Sequence, residues 1–184
     1  MCGSEHPLDL LARRRALLAC HGLSDDDDLF AEIDLGRIAT VLGHVDELEH
    51  RARHPHAVEL AVWLAGAPRL PAGVTEEVRR LLGVLMDHDP ADDDGDGQVL
   101  SDADLAILSA SADTYAAYIK RLDVDDETRL AEIDALLKRD SIYRTPEMRA
   151  AREARAQLNL ARERASLMST VNSAKSPRAR DPIR

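Results

Sequence analysis

Asp92, Asp94 and Asp96 alternate along "DDDGDGQVLSDADLAIL", residues 92–108, and Asp102 and Asp104 repeat that spacing further on. Carboxylates this close together suit a hard cation, which takes oxygen ligands. A calcium loop wants oxygens at positions 1, 3, 5 and 12 and a glycine at position 6. Asp92, Asp94, Asp96 and Gly97 fill positions 1, 3, 5 and 6, but position 12 falls on Ala103, which offers no oxygen. The segment 89–98 therefore reads as a flexible acidic loop, with a weak calcium site at Asp92, Asp94 and Asp96 as the alternative. Asp102 and Asp104 stand two apart, and on one helix they point about 200° apart. A single ion is not expected to take both.

Other chemistry-bearing residues are sparser. Cys2 and Cys20 are the only cysteines and have no metal spacing. Cys20 falls in an apolar stripe and reads as core. Neither a nucleophile elbow nor a phosphate-binding glycine loop occurs. His50, His54 and His56 read as surface residues on polar helix faces, Trp63 as core, and Tyr115 with Tyr118 as packing on one helix face.

The elements that would position these residues are helices. Of 184 residues, 45% are hydrophobic, 32% charged and 3% aromatic, and alanine and straight-chain residues favour helix. No run shows the period-two pattern of a strand. "PLDLLARRRALLACHG" reads as the first helix. "LSDDDDLF" reads as a helix start, with Ser24 or an early aspartate as cap. "LGRIATVLGHVDELEHRAR" places Ile38, Val41, Leu42, Val45 and Leu48 on one stripe. "HPHAVELAVWLAGA" follows, with Pro55 in its first turn and Val58, Ala61, Val62 and Ala65 at helical spacing. Thr75 or a neighbour is expected to cap "VTEEVRRLLGVLMDH", and Ser101 to cap "SDADLAILSA". Two short helices over "SADTYAAYIKRL" and "DDETRLAEIDALLKRD" lead to Thr145 as N-cap and Pro146 at the start of a long last helix. Its arginines Arg149, Arg152, Arg155, Arg162 and Arg164 interleave with Glu147, Glu153 and Glu163, the pattern of a solvated, ion-paired surface. The expected fold is an all-α single domain of about seven to nine helices over 1–168. A disordered tail is expected over 169–184, locally basic through Arg178, Arg180 and Arg184.

Several of these segments, taken together, resemble the small all-helical predicted metal-dependent phosphohydrolases of the HD-domain superfamily. "GRIATVLGHVDEL", "AVELAVWLAGA", "LSDADLAIL", "YAAYIKR", "IYRTPEMR" and "EARAQLNLARE" carry the resemblance, over roughly residues 35 to 165. Members of that group hold a divalent metal with a first histidine, an adjacent His-Asp pair and a later aspartate; such a metal makes hydroxide at neutral pH and neutralises phosphate charge. By the resemblance the first histidine is His44 and the late aspartate Asp104, with Asp102 as its motif companion. Two further upstream histidines of the group fall on Ile38 and Thr40, and the His-Asp pair falls on Ala65 and Gly66. Neither of those two can bind a metal, so the resemblance implies a degenerate HD motif with His44 and Asp104 as the only ligands left. His88 matches a histidine frequent near that group's site.

The functional expectation is a divergent HD-like chain without the ancestral metal, repurposed for metal-independent acid–base chemistry on a small molecule. Its candidate catalytic residues are His44, His88, Asp102 and Asp104, and its pocket is lined by Thr40, Trp63, Ala65 and Gly66. The alternatives are a non-catalytic pseudoenzyme that binds a ligand or protein, and a phosphohydrolase with a rebuilt metal site on His44 and Asp104. A net charge of −10 repels phosphate backbones, so nucleic acid is not an expected partner. No run reaches membrane-spanning length and no signal peptide is visible, so a cytoplasmic protein is expected.

Overall fold

The computed structural model describes residues 7–25, 30–31 and 33–175. Among these there are eight α-helices and no strand, the all-α architecture expected from composition. The chain divides into two compact units, one of residues 1–106 with 143–146, the other of 107–142 with 147–184.

The first unit contains α1 (Pro7–Cys20), α2 (Leu35–Leu48), α3 (Pro55–Leu64), α4 (Glu76–Asp87) and α5 (Gly95–Leu105). Helix α3 is its centre and packs against each of the other four. Every residue from Ala57 to Leu64 is buried; all but Glu59 are apolar, and Glu59 is paired with Arg13 at 2.6 Å, so the helix keeps no solvent face. Helix α2 buries Ile38, Val41, Leu42, Val45 and Leu48, the stripe read from its 3.6-residue period. Thr75 caps α4 as expected, its hydroxyl accepting from the Val78 amide at 3.4 Å.

Four local expectations are corrected. Asp34, not an earlier residue, caps α2 by accepting from the Gly36 and Arg37 amides. Asp25 instead pairs with Arg14 and Arg15; the rest of "DDDD" lies outside the described residues. Cys20 is exposed at the end of α1, because the buried stripe of that helix runs through Leu10, Arg14, Leu17 and Leu18. Ser101 is fully buried inside α5 rather than at its start, since Asp94 caps that helix about two turns earlier. The acidic segment is accordingly half helix.

The second unit contains α6 (Ala112–Ile119), α7 (Asp126–Leu137) and almost all of α8 (Pro146–Lys175). Pro146 opens α8 as its sequence position indicates. Residues 169–175 of the expected tail are helical, and 176–184 lie outside the described residues. Glu163 is not on a solvated face. It is buried, accepts from Arg129 Nε at 2.9 Å and Nη2 at 3.1 Å, and is bonded by the Tyr115 hydroxyl. Burial and the neighbouring Glu163 carboxylate both push the Tyr115 phenol well above its usual range. Asn159 donates to the carbonyls of Leu108 and Ala110 at 2.9 and 3.0 Å.

Candidate functional site

Helices α2, α4 and α5 bring three side chains together. His88 ends α4, Asp104 lies in the last turn of α5, and Arg37 in the first turn of α2. His88 Nε2 lies 3.0 Å from Asp104 Oδ2, while the Arg37 guanidinium donates to Asp104 Oδ1. The group is part-exposed: the side chains of His88 and Asp104 keep 20% and 18% of their surface and Arg37 47%. Burial pushes the Asp104 carboxyl up, but the His88 hydrogen bond and the Arg37 charge outweigh it and hold it below the usual aspartate range. Arg37 was not singled out by sequence. Its partner Asp104 lies 67 residues on in the chain, and no local spacing marks that pairing.

His88 also carries an unusual backbone. Its φ of 51° and ψ of 38° are left-handed, and it alone among the described non-glycine residues has positive φ. Helices commonly end on a left-handed residue, but that residue is usually glycine, which has no Cβ to clash. A histidine here accepts about 1 kcal/mol or more of backbone strain.

The remaining expected site residues go elsewhere. Asp102 is fully buried and accepts from the Arg144 amide, the Thr145 amide and the Thr145 hydroxyl, each at 2.7 Å. It holds the 143–146 turn, and this is the physical outcome of the opposite directions of Asp102 and Asp104 on α5. His44 Nδ1 lies 3.1 Å from Glu47 Oε2 on its own helix. Thr40 is exposed and its hydroxyl donates back to the Gly36 carbonyl at 2.9 Å, a usual local bond for a helical threonine. Trp63 is fully buried, edge-on to Phe30 at 6.5 Å, with the Arg14 guanidinium 6.0 Å from its ring. Ala65 and Gly66 are exposed where α3 ends.

The "DDDGDG" segment has a mechanical account. Asp94 is the N-cap of α5, accepts from the Gly97 amide at 2.9 Å, and is paired with Arg80 of α4. Asp96, in the first turn of α5, is buried and accepts from the Arg53 amide at 2.6 Å, the His54 amide at 3.0 Å and His54 Nδ1 at 2.8 Å. A Cβ on Gly95 would lie 2.8 Å from the Arg51 carbonyl oxygen, and one on Gly97 would lie 2.9 Å from Pro90 Cβ and closer still to Asp94. The aspartates and glycines thus seat the start of α5 beneath the turn that leads into α3. Asp92 lends its carbonyl to the Gln98 side chain at 2.8 Å. Arg80 also grips Glu77, through Nη2 at 2.7 Å and Nε at 3.2 Å. His54, Glu77 and Asp96 each place one ligand-type atom within 4.8 Å of the other two.

The metal that the HD resemblance implies does not fit the residues it assigns. Both oxygens of Asp104 are engaged, one by a guanidinium cation that a metal would have to displace. Ala65 and Gly66 have no donor atom. Comparison with protein-family models, with curated proteins and with solved structures finds no match for this chain.

Proposed function

We propose that the chain is a divergent HD-like protein in which His88, oriented by Asp104, performs metal-independent acid–base chemistry on a small molecule. The observation that carries this reading is the His88–Asp104–Arg37 group itself. A carboxylate on one imidazole nitrogen fixes the tautomer and stabilises the imidazolium, which suits the ring to exchange protons with a bound molecule. Arg37, nearly half exposed, supplies fixed positive charge beside Asp104 and favours an anionic ligand. The strained backbone of His88 supports the same reading, since strain of this kind clusters at functional sites.

A panel of small phosphorylated and carboxylated molecules, screened by thermal shift and then by turnover, tests it. A compound turned over by the wild type should lose about 10²–10⁴-fold in rate with His88→Gln. It should bind more weakly with Arg37→Ala. Turnover that survives His88→Gln overturns the proposal. So does a stoichiometric metal in the purified chain that disappears with His44→Ala and Asp104→Ala, which would restore the phosphohydrolase reading.

A further inference from the structure

Helix α8 buries one face and leaves an apolar seam on the other. Ala156, Asn159, Leu160 and Glu163 are buried. Ala151, Ala154, Leu158, Ala161, Ala165 and Met168 are all exposed. These six recur at alternating intervals of three and four residues, the a and d positions of a coiled-coil heptad. At about 100° per residue they form one line, centred about 180° from the buried face. The solvent face of a helix ordinarily carries charged and polar residues. Helix propensity accounts for the alanines, but not for Leu158 and Met168, which are 48% and 38% exposed. A lone exposed leucine needs no account. Here two of the four exposed large hydrophobic side chains among the described residues stand in register on one seam.

The charges beside the seam select what can cover it. Arg155 and Arg162 line one edge, in the e positions of successive heptads. Both are exposed, and neither guanidinium has an ion-pair partner among the described residues. Arg164, on the other edge, is tied to Asp134 at 2.5 Å. Side chains at e and g choose a coiled-coil partner by charge. A second copy of this chain does not meet that demand. Set antiparallel, it brings Arg155 of one copy against Arg162 of the other, and like charges repel. Set parallel, it offers those arginines only Ala150 and Gln157. Neither arrangement supplies a carboxylate.

We propose that the outer face of α8 docks an amphipathic helix of a partner protein, one with small or aliphatic residues along its seam and aspartate or glutamate beside them. The alanines let the two helix axes approach closely, and the partner's carboxylates pair with Arg155 and Arg162. From Ala151 to Met168 the seam runs about 25 Å, enough for a partner of two to three heptads. The interaction rests on α8 alone and not on the chemistry proposed for His88.

Calorimetric titration of the full chain tests it, with a synthetic peptide of about three heptads carrying alanine and leucine at a and d and glutamate at e and g. The glutamates keep the peptide from pairing with itself. Wild type should bind it, and should bind the same peptide with lysine in place of glutamate at least about tenfold more weakly. Leu158→Gln should weaken binding of the glutamate peptide about tenfold. Arg155→Glu with Arg162→Glu should reverse the preference between the two peptides. All three positions are exposed, so the variants should keep the wild-type helical circular dichroism. Overturning results are absence of binding up to about 1 mM glutamate peptide, or a preference that the charge reversal leaves intact. Sedimentation as a dimer that Leu158→Gln dissociates would give the seam to a second copy instead. Binding to anionic phospholipid vesicles that the same variant abolishes would give it to a membrane surface, and either result overturns the proposal.

Discussion

His88 carries two opposed contributions. Its left-handed backbone costs about 1 kcal/mol relative to glycine, and its bond to Asp104 contributes about the same in return. His88→Gly should therefore change stability by less than about 1 kcal/mol, within about 2–4 °C of midpoint for a chain of this size. It should nevertheless abolish any activity that uses the imidazole. Thermal unfolding beside a turnover assay separates the two; a loss well beyond that range would make His88 a structural residue. Asp102 makes the contrast plain. It belongs to the same sequence motif as Asp104, yet it is fully buried and spends its hydrogen bonds on residues 144 and 145.

At the scale of elements, the seat of α5 decides between two effects of glycine. Replacing a helical glycine by alanine normally stabilises by up to about 1 kcal/mol. At Gly83 of α4 a Cβ meets nothing within 4 Å, so Gly83→Ala should show that gain. At Gly95 the same Cβ would stand 2.8 Å from a backbone oxygen, and backbone cannot swing aside as a flexible side chain does. Gly95→Ala should cost about 1–3 kcal/mol. Denaturant unfolding of the two variants reads the opposite signs. A stabilised Gly95→Ala would mean that α5 is not seated against Arg51.

For the whole molecule, acid is the informative perturbation. Hydrogen bonds from His54 and Arg53 outweigh burial and hold the Asp96 carboxyl below its ordinary value, as His88 and Arg37 do for Asp104. Unfolded aspartate titrates near 3.9. As pH falls, the unfolded chain takes up these protons first, so both groups contribute full stability above about pH 4 and lose it as pH drops through their folded values. Unfolding free energy measured against pH should fall steeply below about pH 4. Asp96→Asn should flatten that fall while lowering stability near neutrality; an unchanged acid slope would show that Asp96 does not titrate below the unfolded value.

The sequence by itself determined the helices and their buried faces. Periodicity placed the stripe of α2 residue for residue, and Thr75 and Pro146 marked helix starts, because capping and proline geometry act over one turn. It also made clear that Ala65 and Gly66 cannot bind a metal and that Asp102 and Asp104 diverge, since both follow from side-chain chemistry and helix pitch. The tertiary structure decided what those side chains meet. The pairing of His88 with Asp104 and Arg37, the burial of Glu163 against Arg129 and Tyr115, and the meeting of His54 with Glu77 and Asp96 all join residues distant in the chain. The "DDDGDG" segment shows why local reading stops there. Its aspartates and glycines carry every mark of a loop, and become a helix start only because the 51–54 turn supplies the amides and the close backbone approach that they fit.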